Sequence, residues 1–326
     1  MRAKSGAINL FLTVCLVAVP AVAFLQRQNI YDWYKLHDYK PTAAIATLAS
    51  ADTMTDKSRR IFYVNHPQLT SDSTSFRQDC SITEQTIVLG CYHPNQQGIF
   101  VYDVQDPRLS GVEEVTSAHE MLHAAYDRLS TSNKNNVNKM LNDYYQTGLH
   151  DQRILDTMDA YKKTEPKDVV NEMHSIFGTE IAQLPPALES YYKQYFRNRA
   201  AVVAESQKYE GEFTSRSTKA AQYEAQLNSL KQKIQTEEAD LKTQLAKIEA
   251  DQVRLDSLRS SNQIEAYNGG VASYNAEIDV YNAGVAQYKK DVNRYNALVE
   301  QYNAIAGELK QLYGAIDTRL QTRSAH

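Results

Sequence analysis

Residues 117–126 read SAHEMLHAAY, and the surrounding pattern predicts a helix from about Val112 to Ser130. Residues 28 to about 60 have a polar, helical pattern with a break at Pro41. Short apolar runs separated by turn-rich pieces come next, and from Val112 onward helical patterns follow almost without interruption. Strands early and helices late predict an α+β domain. The strand candidates are Ile61–Val64, Thr86–Leu89 and Ile99–Tyr102.

The same stretch contains the motif HExxH at residues 119–123. On a helix, His119 and His123 are four residues apart and project from one face, so both imidazoles can reach one Zn²⁺ at about 2.0–2.1 Å. Glu120 then points to the neighbouring face, where it can take a proton from water and pass it to a leaving amine. The motif therefore predicts a zinc site with Glu120 as general base and acid.

A catalytic zinc site needs a third protein ligand and an open position. Residues 171–175 read NEMHS on a second predicted helix, and Glu172 follows His123 by forty-nine residues. Glu172 and His174 lie about 200° apart around one helix, so only one of them can join the two histidines. We favour Glu172 as the third ligand and keep His174, and after it Glu180, as the alternatives.

The two motifs at residues 119–123 and 171–175 resemble those of the thermolysin-like gluzincins, in which the Glu of Asn-Glu-x-x-Ser is the third zinc ligand. This resemblance implies a zincin-like metallopeptidase domain with Glu172 on the metal. In thermolysin-like enzymes an Asp follows that Ser, whereas this chain has Ile176, and the spacer here is longer. The chain also resembles bacterial exported proteins that join a zincin domain to a Tyr-Asn-rich coiled coil.

Supporting groups for such a site are also present in the sequence. Asp127 lies four residues after His123 on the same helix face and is a candidate partner for that ligand. Tyr161, Tyr192 and Arg197 are candidate donors to a transition-state oxyanion. We also expect Ile99–Tyr102 to form the sheet edge beside the helix, where an extended substrate can add as a strand.

The helices after the first motif are predicted from their breaks. A helix over Pro166–Phe177 is expected to stop at Gly178, a residue type favoured just past a helix end. Leu184-Pro185-Pro186 then predicts a long helix that continues through Phe196, because Pro suits the first helical turn.

Beyond about residue 210 the chain shows two heptad patterns. Apolar residues recur every seven positions from Phe213 to Leu255, and Ser260-Ser261-Asn262 interrupts the pattern. A Tyr then recurs every seven positions from Tyr267 to Tyr302. The nearly equal runs predict an antiparallel coiled-coil hairpin about 80 Å long, with one continuous helix paired to another chain as the alternative. We interpret the Tyr ladder as packing in the seam.

The N-terminus and the cysteines indicate the compartment. Arg2 and Lys4 precede a nearly uncharged apolar stretch over residues 7–25, which fits a signal peptide or an uncleaved membrane anchor. The positive charges would leave the rest of the chain outside the cytoplasm. Cys80 and Cys91 are placed to form a disulfide, which suits that compartment.

Composition excludes several classes of protein. Apolar residues make up 42% and charged residues 23%, which is ordinary for a folding chain, and the net charge of −4 gives no basic field for nucleic acid. The sequence thus predicts an α+β chain with a signal or anchor at 1–27, a zincin-like domain at 28–210 and a coiled-coil hairpin at 211–320.

From these features we expect a zinc metallopeptidase outside the cytoplasm, either secreted or anchored by its N-terminal segment. Its partners would be a peptide or protein substrate and, through the hairpin, a second copy or another protein. The alternative function is a non-catalytic cell-surface scaffold that acts through its coiled coil.

Overall fold

A computed structural model describes residues 22–80, 87–95 and 97–319. Within them the chain is mostly helical and carries a three-stranded sheet, which confirms the predicted α+β class. In chain order the elements are α1 Arg27–Leu36, α2 Ala43–Ala51, α3 Asp56–Val64, β1 Gln68–Thr70, α4 Ser73–Cys80, β2 Gly90–His93, β3 Gly98–Tyr102, α5 Val112–Asp127, α6 Thr131–Thr147, α7 Gln152–Thr164, α8 Val169–Thr179, α9 Pro186–Tyr192, α10 Arg199–Ser260 and α11 Ile264–Ile316.

The chain divides into two compact units, of which the second comprises Phe213–Tyr313. Among the described residues, 314–319 belong to the first unit together with those before Phe213. There the Thr318 carbonyl accepts a hydrogen bond from Arg77 (2.9 Å), and the Thr318 hydroxyl donates one to the carbonyl of Val88 (2.7 Å). The chain therefore returns to the first unit after completing the second.

The sheet has the order β1-β3-β2, with β1 parallel and β2 antiparallel to β3. Ile99 and Val101 of β3 are fully buried, which suits a strand that is flanked on both sides. The expectation that Ile99–Tyr102 forms the sheet edge is therefore wrong. The edge beside α5 is β2, a shorter and more polar strand that packs against this helix.

Two of the predicted strands are also wrong. Ile61–Val64 belongs to helix α3, whose first turn is capped by Thr55: its hydroxyl accepts a hydrogen bond from the backbone N–H of Ser58 (3.3 Å). Ser58, Ile61 and Phe62 are buried at helical spacing. A short apolar run does not by itself distinguish a strand from a buried helical turn. The strand expected at Thr86–Leu89 begins only after that run, at Gly90.

Helix α5 packs closely against α8, and this contact explains why the prediction that a helix stops at Gly178 is wrong. Gly178 lies inside α8 rather than just past its end. A Cβ at this position would lie 2.5 Å from Leu122 Cδ1 on α5 and 2.8 Å from Tyr192 Cε1. Gly178 is therefore required for the close approach of neighbouring side chains and not for a left-handed turn.

The long helix expected from Leu184-Pro185-Pro186 through Phe196 is interrupted. Helix α9 ends at Tyr192, and α10 begins at Arg199. Between them, the carbonyl of Tyr195 accepts a hydrogen bond from the N–H of Thr55 (2.9 Å), and Arg197 N–H donates to the carbonyl of Thr53 (2.8 Å). These long-range bonds pair the connecting segment with the α2–α3 turn, so its backbone does not continue the helix.

The second unit contains most of α10 and all but the last turn of α11. The predicted break at Ser260-Ser261-Asn262 is confirmed, and Asn262 adopts a left-handed conformation with φ 61°. Ion pairs join the two helices, and the later a residue lies in α10, the earlier its partner lies in α11. These pairs are Arg216–Glu308, Lys233–Asp291 and Lys247–Glu277, each at 2.7 Å. At the base of the unit, the rings of Phe213 and Tyr313 lie 5.0 Å apart.

The sulfur atoms of Cys80 and Cys91 lie at disulfide distance, as the sequence predicts. This link ties the end of α4 to the edge strand β2. Most of the predicted N-terminal signal or anchor, residues 1–21, lies outside the described residues. Among the residues that the structure describes, no helix combines the length and apolar character needed to cross a bilayer.

Candidate metal centre

The side chains of two histidines of α5, one helical turn apart, lie close together. The Nε2 atoms of His119 and His123 are 2.9 Å apart, and both side chains are largely buried. Their four-residue spacing places them on one face, one above the other. The helix is held firmly at this point because Ala118, Met121 and Leu122 pack into the core.

Glu172 reaches the same point from the first turn of α8. Its Oε1 lies 3.3 Å from His123 Nε2, and its Oε2 lies 3.5 Å from His119 Nε2. Among the described residues, these three form the group of His, Cys, Asp or Glu side chains whose ligand atoms all lie within 4.8 Å of one another. The packing of α8 on α5 thus brings the predicted HExxH histidines and the predicted distant carboxylate together.

The donor atoms fit the dimensions of a zinc site. Donors arranged tetrahedrally at about 2.0–2.1 Å from zinc are separated by about 3.3 Å. With one ligand atom taken from each residue, the three donors here lie within 4.8 Å of one another, and the two imidazole Nε2 atoms are 2.9 Å apart. Glu172 Oε2 is buried, with no hydrogen bond from any described residue. A buried oxygen of this kind beside two imidazoles is available to a cation.

Comparisons with known proteins add nothing to this geometry. Neither a scan against known protein families nor searches of curated proteins and solved structures found a match. The chemistry of the site is therefore inferred from its own side chains.

The charge state of Glu172 is controlled by its neighbours. Burial opposes its ionisation, but the charges of His123 and His119, together with a hydrogen bond from Tyr161, lower the pKa of Glu172 to about 2. The carboxylate is therefore ionised at neutral pH, as a metal ligand must be.

Glu120 lies beside the cluster and differs from Glu172 in its protonation. Burial is the main cause that raises its pKa to about 7, with His123 lowering it and Glu172 raising it. A hydrogen bond from the backbone N–H of Tyr92, on the edge strand β2, favours the ionised form. A carboxyl group with a pKa near neutrality can both accept and donate a proton at working pH.

The edge strand approaches Glu120 closely because residue 90 is glycine. A Cβ at Gly90 would lie 2.4 Å from Thr116 Cγ2 and 2.9 Å from Glu120 Oε1. The sequence interpretation missed Gly90 and Tyr92 as parts of the site. An isolated glycine at the end of an apolar run was the available signal, because it often marks a close backbone approach.

The cluster lies at the wall of a cavity of about 470 Å³. Its lining includes Gly90 and Tyr92 of the edge strand, Tyr161, and the charged side chains of Lys134 and Asp168. A second cavity of about 370 Å³ shares Gly90, His119, Glu120 and Tyr161 and extends toward apolar side chains such as Val115.

His174 and Glu180, the alternative third ligands, lie elsewhere. His174 is fully buried, and its Nε2 lies 2.9 Å from the hydroxyl of Tyr191. Burial, together with the charges of His123 and His119, lowers the pKa of His174 to about 3, so it is neutral in the core. Glu180 forms an ion pair with Arg153 at 2.7 Å.

The supporting residues proposed from sequence are only partly at the site. Tyr161 lines both cavities and binds Glu172. The Asp127 carboxylate accepts a hydrogen bond from the Tyr92 hydroxyl at 2.9 Å and thus holds the edge strand. Tyr192 donates to the carbonyl of His174 inside the core, and Arg197 pairs with the exposed Asp56.

Proposed function

We propose that this chain is a zinc-dependent peptidase that acts outside the cytoplasm. The observation that carries the proposal is the convergence of His119, His123 and Glu172 beside the buried Glu120, at the wall of an open cavity. His119, His123 and Glu172 would hold the metal. Zinc bound there would supply a Lewis acid that brings the pKa of water into the neutral range.

The residues around the cluster have separate roles in peptide hydrolysis. Glu120 accepts a proton from the attacking water and then delivers it to the amine of the departing fragment. Its burial raises the pKa of the carboxyl group, which favours uptake of the proton. Tyr161 fixes the carboxylate of Glu172 by a hydrogen bond, which keeps this ligand in one orientation.

A peptide substrate can align along the edge strand β2. This strand borders the larger cavity, and Gly90 brings its backbone close to Glu120. An extended peptide added to a sheet edge gains backbone hydrogen bonds that do not depend on its sequence. The two cavities, both lined by His119 and Glu120, would then receive side chains of the peptide near the scissile bond.

The remaining architecture belongs to the same proposal. The first unit would be a zincin-like domain, and α10 and α11 an antiparallel coiled-coil hairpin that serves as a spacer or docking arm. The cross-helix ion pairs support the antiparallel arrangement. The half-buried Tyr residues at seven-residue spacing support packing in the seam.

Zinc content and hydrolysis test the function together. We expect about one zinc per chain in the purified protein and its loss in His119→Ala, whereas His150→Ala, on an exposed histidine, retains it. Glu120→Gln should keep zinc and lose about 10²- to 10⁴-fold in peptide hydrolysis, as expected for a missing general base. Glu224→Gln, on an exposed position of α10, is the matched control.

Two outcomes would contradict the proposal. If the chain binds no zinc at neutral pH, the non-catalytic scaffold becomes the better function. If Glu120→Gln cleaves peptides as well as the parent, then the residue is not the base, whatever the metal content.

A further inference from the structure

The helix α1 is attached to the first unit by its polar face. Asp32, on this face of α1, is almost fully buried. Its carboxylate binds Arg60 Nε at 2.9 Å and also the guanidinium of Arg128. Gln28, one turn earlier, donates a hydrogen bond to the same carboxylate at 2.8 Å. The side of α1 that faces the protein is thus held by charge and hydrogen bonds.

The opposite face of α1 is apolar and exposed. Ile30, Trp33 and Tyr34 are 52%, 67% and 66% exposed, and Phe24 and Leu25 just before the helix are 65% and 78% exposed. At 100° per residue, Ile30 and Tyr34 lie on the side away from Asp32. Among the described residues of the first unit, the large hydrophobic side chains with high exposure all fall between Val22 and Tyr34.

This arrangement is the reverse of an ordinary surface helix, which turns its apolar face inward. A concentrated exposed apolar patch on one element marks an interaction surface. Elsewhere in the first unit the large apolar side chains are packed away, so the exposure in residues 22–34 is a local property of this segment.

We propose that the outward face of α1 lies in the interface of a lipid bilayer. The apolar stretch of residues 7–25 leads directly into α1, so the patch continues the most membrane-like part of the sequence. Trp and Tyr are the side chains that favour the head-group level of a bilayer. Arg27 and Lys40 are exposed near this face, together with Asp38, and their cationic groups can bind lipid phosphates while their aliphatic stems lie along apolar surface.

The polar attachment of α1 has a consequence for the rest of the first unit. Because Asp32 ties α1 to Arg60 of α3 and Arg128 at the end of α5, the interfacial helix is fastened to the helix that carries His119 and His123. The membrane surface would therefore hold the metal centre at a fixed distance from the lipid. This inference does not depend on zinc or on hydrolysis.

Trp33 provides a direct test because it is the single tryptophan of the chain. The full-length chain is reconstituted in vesicles of phosphatidylcholine and phosphatidylglycerol, with bromine carried at different depths of the acyl chains. We expect the Trp33 emission to shift to the blue, to lose its quenching by acrylamide, and to be quenched more by bromines near the head groups than by those near the bilayer centre.

A matched control moves the tryptophan to the second unit. In Trp33→Phe combined with Val253→Trp, the new tryptophan lies at a position that is 71% exposed, and it should stay accessible to acrylamide and unquenched by bromine. The proposal is overturned if Trp33 is as accessible to acrylamide as this control, or if the chain does not associate with the vesicles. It is also overturned if Trp33 is shielded without bromine quenching, because a protein partner then covers the face.

Discussion

Two nearly buried carboxylates, Glu172 in the first unit and Asp291 in the second, have different neighbours. Asp291 binds the ammonium of Lys233 and the amide of Gln287, at 2.7 and 2.8 Å, so protein groups satisfy it. Glu172 instead faces two imidazoles, and its Oε2 has no hydrogen bond within the described chain. A satisfied carboxylate is structural, whereas one that converges with other donors on a common point is suited to a cation.

A third buried carboxylate completes the comparison. Asp52 is fully buried, and neither of its oxygens has a hydrogen-bond partner in the described chain. Burial, with Glu114 and Glu205 nearby, raises the pKa of Asp52 well above its usual value. Burial and the two neighbouring carboxyl groups thus favour the protonated form of Asp52.

The largest difference is expected between the zinc affinities of two variants, one that lacks the carboxylate of Glu172 and one that lacks the carboxylate of Asp291. Glu172→Ala should lower zinc affinity by more than about 100-fold, because even the loss of an outer partner of a zinc ligand costs 10- to 100-fold. Asp291→Ala should leave zinc affinity unchanged and lower the thermal stability of the second unit. Titration calorimetry with zinc and thermal melts distinguish the two, and equal zinc affinity in both variants would remove Glu172 from the metal site.

The next largest effect is expected on the free energy of unfolding, at the contact between α5 and α8, the helix that carries Glu172. Gly178→Ala should cost about 1–3 kcal/mol of unfolding free energy, because its Cβ would overlap Leu122 and Tyr192. Gly211→Ala is the control, since a Cβ there meets nothing within 4 Å and alanine favours a helix by up to about 1 kcal/mol. Urea unfolding measures both. Equal stabilities would mean that α8 and α5 are not closely packed at Gly178.

The smallest effect is a change in pH dependence at Asp52. Its raised pKa means that the folded chain holds a proton which the unfolded chain releases at lower pH, so this group's contribution to stability falls as pH rises from about 4 through the folded pKa. Asp52→Asn should flatten this decline and raise the melting temperature at neutral pH. Asp159→Asn should do the opposite: Lys162 lowers the pKa of Asp159, so the native carboxylate contributes stability above its unfolded pKa. Melting temperatures across the pH range test both, and a steeper decline in Asp52→Asn would contradict the assignment.

The local part of the site could be predicted from sequence, whereas its long-range part could not. The helical period alone places His119 and His123 on one face. The choice between Glu172 and His174 requires the rotation of α8 against α5, which the close packing at Gly178 determines. Likewise, the end of α9 depends on a hydrogen bond that the Tyr195 carbonyl accepts from Thr55 and one that the Arg197 N–H donates to Thr53, and no local pattern contains bonds over such a separation.

The strands show the same limit on a smaller scale. Ile99–Tyr102 is recognisable as a short run of β-branched and aromatic residues between turn-rich pieces. Its place in the middle of the sheet depends on β1, a three-residue strand with little pattern of its own. Ile61–Val64 has the composition of a strand and folds as a helix because Thr55 caps it and α5 covers it. Short apolar runs are decided by their tertiary neighbours.

The return of the chain at Thr318 makes the pair of long helices an insertion rather than a tail. Their two ends are both tied to one folded body, at Arg199 by hydrogen bonds to the carbonyls of Ile181 and Ala182 and at Thr318 by those to Arg77 and Val88. A short loop joining Glu212 to Gly314 would therefore remove the second unit alone, while truncation after Glu212 would also remove the hydroxyl that donates to the Val88 carbonyl, at the wall of the cavity beside His119 and His123.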